Sequence, residues 1–129
     1  MANRKYAGAW TALVTPFKQD GSLDEEALRG LVRKQIEGGV TGIVPVGTTG
    51  ESPTLHEDEM KKIFEICVEE AGGKIMVMAG TGSNSTEKTV ANTIAAKAAG
   101  ADACLVVCPY YNKPTPEGLK RHYLAVAEV

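Results

Sequence analysis

The sequence predicts an α/β fold of four βα units, arranged as the (β/α)4 half of a (β/α)8 barrel. Three observations lead there. Apolar, β-rich runs begin at Trp10, Gly42, Ile75 and Ala103, at nearly even spacing. An amphipathic helical pattern follows each run. Polar loop residues gather after the C-terminal end of each run: Thr15 with Phe17, Gly47 to Glu51, Gly80 to Asn84, and Pro109 to Lys113. Runs that are apolar throughout and alternate with helices imply a parallel sheet. A small doubly wound sheet also fits four βα units. The even spacing, and polar residues at the strand ends where barrels keep their sites, favour the barrel.

The first strand is placed at Trp10–Val14. Its helix carries Leu28, Leu31, Val32 and Ile36 at spacings of three and four, which is a core-facing stripe. Ser22-Leu23-Asp24-Glu25 fits a capping box at its start, and Gly38-Gly39 marks its end. The second strand is placed at Gly42–Val46. Thr54-Leu55-His56-Glu57 fits a second capping box, which starts the next helix at Thr54. That helix presents Met60, Ile63, Phe64, Cys67, Val68 and Ala71 to the core and ends at Gly72-Gly73. The acidic run Glu57-Asp58-Glu59 complements the helix dipole and is too exposed for a metal site.

The third strand is placed at Ile75–Ala79. Asn84 with Glu87 makes a looser cap for an alanine-rich helix. Val90, Ile94, Ala95 and Ala98 form its expected core stripe, and Gly100 its end. The fourth strand is placed at Ala103–Cys108. Thr115-Pro116 sets a cap residue before a first-turn proline, and Leu119, Tyr123 and Val126 face the core. His56 and His122, on the second and fourth helices, have no nucleophile nearby and are expected at the surface.

At 129 residues the chain is one domain, 1–129. A complete barrel runs to about 250 residues. A net charge of -2 gives no reason to expect a nucleic-acid or anionic-membrane partner. No apolar run approaches a membrane span. Residues 1–6 carry no apolar signal core, so a cytoplasmic location is expected. Cys67, Cys104 and Cys108 agree with a reducing compartment. Cys104 and Cys108 on one strand would stand about 13 Å apart, too far for a disulfide. No cysteine–histidine spacing suggests a zinc site, and no metal or organic cofactor is expected. A half barrel leaves two open edges and an uncovered inner face. Together with the finish at Ala127-Glu128-Val129 inside a helical pattern, this suggests a piece of something longer or a self-associating unit.

The most informative segment is Ile43-Val44-Pro45-Val46-Gly47-Thr48-Thr49-Gly50-Glu51. A buried run ends in two hydroxyls set between glycines. The glycines let a ligand approach the backbone, and hydroxyls with free N–H groups suit a small anion such as a carboxylate. The plain alternative is a βα turn sharpened by glycine and capped by threonine.

Gly47-Thr48-Thr49-Gly50-Glu51-Ser52 on the second βα loop, with Pro109-Tyr110-Tyr111-Asn112-Lys113-Pro114 on the fourth, resembles the dihydrodipicolinate synthase family of class I, lysine-dependent pyruvate aldolases. Leu13-Val14-Thr15-Pro16-Phe17 and Ala79-Gly80-Thr81-Gly82 look like further family segments in the right order. The resemblance covers nearly the whole chain, but about the first half of a family barrel. It implies a Schiff-base lyase that condenses pyruvate with aspartate semialdehyde in lysine and diaminopimelate biosynthesis, working as a homo-oligomer, dimer or tetramer. By resemblance Thr49, with Gly47 and Gly50, holds the pyruvate carboxylate. Thr48 and Tyr111 act in a hydroxyl proton relay, with Tyr111 crossing a dimer interface. The family's allosteric pocket for lysine maps onto Ser52, Pro53, Glu57, Met60, Asn84, Lys88 and Tyr110. Regulated members often carry histidine at the place of Glu57 and glutamate at that of Lys88, so weak or absent lysine inhibition is expected.

The family's Schiff-base lysine, second relay tyrosine and substrate-binding arginine lie in the other half. Such a lysine needs a desolvated site. Lys74 opens the third strand at the wrong end, and Lys113 lies in an exposed loop, so the chain alone is expected to be inactive. Two alternatives stand beside this reading. One is a related keto-acid aldolase of the N-acetylneuraminate or keto-deoxy-gluconate lyase type. The other is a non-catalytic, self-assembling half barrel.

Overall fold

The computed structural model describes residues 6–129. The start of the segment read above for export signals, residues 1–5, lies outside the described residues. Four strands alternate with four helices: β1 (Trp10–Ala12), α1 (Glu25–Glu37), β2 (Gly42–Val44), α2 (Glu57–Ala71), β3 (Met76–Gly80), α3 (Thr86–Ala99), β4 (Ala103–Leu105) and α4 (Pro116–Ala127). The strands form one parallel sheet in the order β1-β2-β3-β4, with Ala12 beside Val44, Ile43 beside Val77 and Gly80 beside Leu105. This is the expected (β/α)4 half of a barrel.

The strands are shorter than the apolar runs. β2 stops at Val44 because Pro45 has no N–H for the ladder and Val46 turns to a φ of 58°. Alternation along the sheet then divides the apolar residues. Leu13, Ile43, Val77 and Ala79 face the helices and are at most 2% exposed. They pack with Leu28 and Val32 of α1 and with Ile63, Phe64, Ile66 and Cys67 of α2 in one core. The opposite, inner face holds Ala12, Val44, Met76 and Met78. Near the mouth, Val14, Leu105 and Val107 are exposed.

Three helix starts differ from the sequence expectation. α1 is capped by Asp24, whose carboxylate accepts the Ala27 N–H, while Ser22 donates its hydroxyl to Asp20. Residues Ser52–Thr54 form a separate 3-10 turn, and α2 begins after His56, whose N–H is taken by Glu59 at 2.8 Å. Ser85, not Asn84, caps α3. At α1 and α3 a side chain one or two residues onward reaches the orphan N–H groups first, and at α2 Glu59 takes the N–H of His56. Thr115 caps α4 as expected, with Pro116 in its first turn.

Two burial expectations are also corrected. α3 turns Thr89, Thr93 and Ala96 to the core, and Ile94 is exposed. Small side chains admit the helix close to the sheet, and both hydroxyls are satisfied. Thr93 donates to the Thr89 carbonyl and lies 3.0 Å from the Thr81 hydroxyl, while Thr89 donates to the Ser85 carbonyl. His122 is 3% exposed rather than at the surface. It continues the stripe of Leu119, Tyr123 and Val126, and its Nδ1 lies 2.9 Å from Thr86 Oγ1 at the start of α3.

An ion-pair cluster closes the outer seam between α1 and α2. Arg29 reaches Glu69 and Glu70, and Arg33 reaches Glu70 and Glu26. Hydrogen bonds from Arg33 and Arg29 hold the Glu70 carboxyl below its ordinary range.

Candidate active site at the strand C-termini

The loop after β2 is held at both flanks. The Pro45 carbonyl accepts the Gly80 N–H at 2.9 Å, which ties it to β3. On the β1 side the buried Thr15 hydroxyl donates to the Gly50 carbonyl at 2.7 Å. Between these anchors the loop turns on itself. Gly50 N–H reaches the Gly47 carbonyl and Glu51 N–H reaches the Thr48 carbonyl, each at 3.0 Å. Val46 and Glu51 flank the turn with φ of 58° and 60°, a left-handed conformation that a β-branched valine rarely adopts.

This arrangement sorts the four loop residues singled out from the sequence. Thr48 and Thr49 are exposed at the apex. Gly47 is partly buried, and a Cβ there would make only an ordinary contact with the Val44 side chain, at 3.9 Å. Gly50 is buried, and a Cβ there would press on the Leu13 carbonyl, the Val46 nitrogen and the Thr15 hydroxyl at 3.1–3.2 Å. Its lack of a side chain lets the loop lie down on β1.

A cleft of about 260 Å³ opens beside the loop. Its lining includes Gly47, Thr48, Ser52, Gly80, Leu105, Val106 and Val107. No lysine lines this cleft among the described residues.

A second cleft, about 180 Å³, lies beyond Ser52. Its lining includes all seven residues that the family resemblance put in one pocket: Ser52, Pro53, Glu57, Met60, Asn84, Lys88 and Tyr110. The fold thus brings together residues spread from 52 to 110.

Tyr111 is placed differently. Its backbone is left-handed at a φ of 69°, its side chain is 94% exposed, and it lines neither cleft. Asn112 Nδ2 donates to the Asn84 carbonyl at 2.8 Å and ties this fourth loop to the third. Thr48 and Tyr111 are not brought together within one chain. Lys113 is exposed and also left-handed. Tyr123 donates to Cys108 Sγ at 3.2 Å, and this hydrogen bond raises the phenol above its ordinary range. The three cysteines are free. No cluster able to hold a metal ion occurs among the described residues, and no helix there is long and apolar enough to cross a membrane.

The hydroxyl straps escaped the sequence reading. Thr15 was visible as a polar residue at a strand end, but its bond to Gly50 joins residues 35 positions apart. Thr81, Thr89 and Thr93 gave only the weak signal of threonine among apolar neighbours.

Four parallel βα units with a hydroxyl-bearing loop at the strand C-termini define half of a (β/α)8 barrel of the enzyme-bearing kind. Residues 5–129 match the model of the dihydrodipicolinate synthetase family, and the chain belongs to that family. It is 59% identical over 125 residues to the 4-hydroxy-tetrahydrodipicolinate synthase of Bradyrhizobium diazoefficiens, covering 97% of this chain and 42% of that one. Two solved structures superpose closely. One is the chloride-inhibited dihydrodipicolinate synthase of Acinetobacter baumannii complexed with pyruvate, with TM-score 0.91 and 49% identity, covering 94% of this chain and 42% of that one. The other is the synthase of Cyanidioschyzon merolae with lysine bound, with TM-score 0.92 and 40% identity, covering 96% and 42%. The chain thus spans less than half the length of these relatives.

Proposed function

We propose that this chain carries the pyruvate-carboxylate loop of a Schiff-base lyase that condenses pyruvate with aspartate semialdehyde, in lysine and diaminopimelate biosynthesis. The observation that carries the reading is the pair of exposed threonines, Thr48 and Thr49, at the apex of a loop anchored at both flanks; Thr48 lines the small cleft beside it and Thr49 does not. Thr49 and the loop N–H groups that the turn does not use internally bind the carboxylate, because donors held in place by a rigid frame suit a small anion. Thr48 passes protons during imine formation and release. Tyr111 supplies the next hydroxyl from a neighbouring copy, which agrees with its outward, fully solvated ring. The pyruvate bound by the Acinetobacter baumannii relative supports the substrate. The lysine that forms the imine comes from outside these 129 residues, so the isolated chain has no synthase activity. The free cysteines suit a reducing compartment, and the cytoplasm is the proposed location.

The test joins residues 1–129 to the C-terminal part of the Bradyrhizobium diazoefficiens relative. Thr49→Val then raises the pyruvate KM. Thr48→Val and Tyr111→Phe each lower turnover by at least about 100-fold, the lower end for general acid–base assistance. Their double variant loses far less than the product of the single losses, because the two act as one unit. Single variants that melt early but keep full turnover per folded molecule would sink the relay. For the isolated chain, borohydride with pyruvate leaves the intact mass unchanged.

A second reading concerns assembly. The inner face exposes Val14, Leu105 and Val107, and β1 and β4 are free edges. Two copies related by a two-fold axis would close both edges with parallel pairs. Sedimentation of the 129-residue chain as a compact monomer at micromolar concentration contradicts this.

A further inference from the structure

We propose that Thr15 is a positioning residue for the carboxylate loop: its buried hydroxyl fixes Gly50 and thereby sets where Thr48 and Thr49 present theirs. The inference rests on the reading that this loop binds the pyruvate carboxylate.

The loop is a strained segment. Val46 and Glu51 both hold left-handed backbone, and neither is glycine. Such residues persist where the surroundings over-determine them. The β3 side is fixed by backbone, through the Gly80 N–H bond to Pro45. On the β1 side the side-chain link is the Thr15 Oγ1 bond to the Gly50 carbonyl. The loop's other backbone bonds are local: Gly50 to Gly47, Glu51 to Thr48 and Ser52 to Gly47 shape the turn, and Thr54 to Glu51 joins it to the 3-10 turn that follows, so none of them ties it to a strand.

Thr15 is itself well held. It is 6% exposed and lies two residues after Leu13, whose N–H bonds the Val44 carbonyl. Its neighbour Pro16 accepts the Asp24 N–H, and Phe17 bridges to Leu23. The start of α1, the end of β1 and the loop are therefore one connected frame. Removing the hydroxyl leaves the Gly50 carbonyl without this donor in a packed site and releases one flank of a strained turn. A misplacement of about 1 Å in a positioning group can cost about 100-fold in rate.

Thr15→Val keeps the shape and loses the donor, whereas Thr15→Ser keeps the donor. Thr93→Val serves as control, since it removes a buried hydroxyl bonded elsewhere, at Thr81. Hydrogen exchange in the 129-residue chain reads the anchor directly. The amides of Gly50, Glu51 and Ser52 exchange at least about tenfold faster in Thr15→Val, relative to β3 amides, and not in Thr15→Ser or Thr93→Val. In the barrel completed with the Bradyrhizobium diazoefficiens part, Thr15→Val raises the pyruvate KM at least about tenfold, and Thr15→Ser restores it. Loop exchange equal in Thr15→Val and Thr93→Val overturns the anchor whatever the kinetics. Faster loop exchange with an unchanged pyruvate KM overturns the positioning role. An unchanged KM in Thr49→Val, with the loop still loosened by Thr15→Val, faults the carboxylate assignment and leaves the anchor standing.

Discussion

The backbone of Gly80 passes so close to Val46 that a Cβ at Gly80 would overlap the Val46 carbonyl group. This contact sets β3 against the turn that leaves β2, with the Gly80 N–H bonded to the Pro45 carbonyl. Neither partner is the end of a flexible side chain, so neither can yield cheaply. Gly80→Ala should destabilise the fold by about 1–3 kcal/mol, the usual cost of overpacking. Gly30 lies in α1 with open space around it. Gly30→Ala should stabilise by about 0.5–1 kcal/mol through helix propensity. Urea denaturation of both variants checks the opposed signs.

Glu70 makes stability depend on acid. Its side chain is 15% exposed, and Arg33 and Arg29 lower its carboxyl below the unfolded value. A depressed folded value contributes stability that is present above the unfolded pKa, about 4.3, and lost as pH falls through the folded value. The melting temperature should therefore fall on acidification below about pH 4.3. Glu70→Gln should melt earlier at pH 7 and decline less steeply in acid. Parallel slopes for the two proteins would remove Glu70 from the account.

The cysteines should separate by burial. Cys67 lies in the core between α2 and the sheet, and burial pushes its thiol up to about 12. Burial also raises Cys104, against a smaller opposing hydrogen bond with Thr81. Cys108 is exposed. Because the thiolate is the reactive form, iodoacetamide at pH 8 should label Cys108 first and Cys67 only after unfolding. Peptide mass mapping over time reads the order, and early labelling of Cys67 would show that the core opens locally.

Lysine should be a poor inhibitor of the completed enzyme. The cleft of Ser52, Asn84 and Tyr110, which the family resemblance makes the lysine pocket, also holds Lys88, a cation where a lysine ligand would bring its own ammonium group. Like charges at close range disfavour binding. Lys88→Glu should strengthen lysine inhibition, and inhibition of the unaltered enzyme at micromolar lysine would contradict the argument.

Much of the candidate site was legible before the fold. The run from Gly47 to Ser52 announced a turn that presents two hydroxyls, because glycine sharpens a turn at a strand end and threonine there is exposed; the same residues also suit a plain capped βα turn. The second cleft was legible only through resemblance, since its residues come from loops far apart in sequence. Tyr111 was named for its place in a motif, yet its outward ring follows from a left-handed backbone in the fourth loop. Helix starts were read one or two residues early because Ser22, Thr54 and Asn84 are good caps in isolation. The chain uses Asp24, His56 and Ser85 instead.

By itself the sequence determined the order of four βα units, the glycine ends of α1, α2 and α3, the Thr115 cap and the identity of the loop after β2. These follow from local periodicity and local backbone preference. The tertiary structure alone decided which side of α3 is buried, that His122 packs inside, and that Thr15 bonds Gly50. Each depends on how a helix is rotated against the sheet, or on a hydrogen bond between distant segments. A periodic pattern records which residues are apolar; only packing decides which small polar ones find partners and go inside with them.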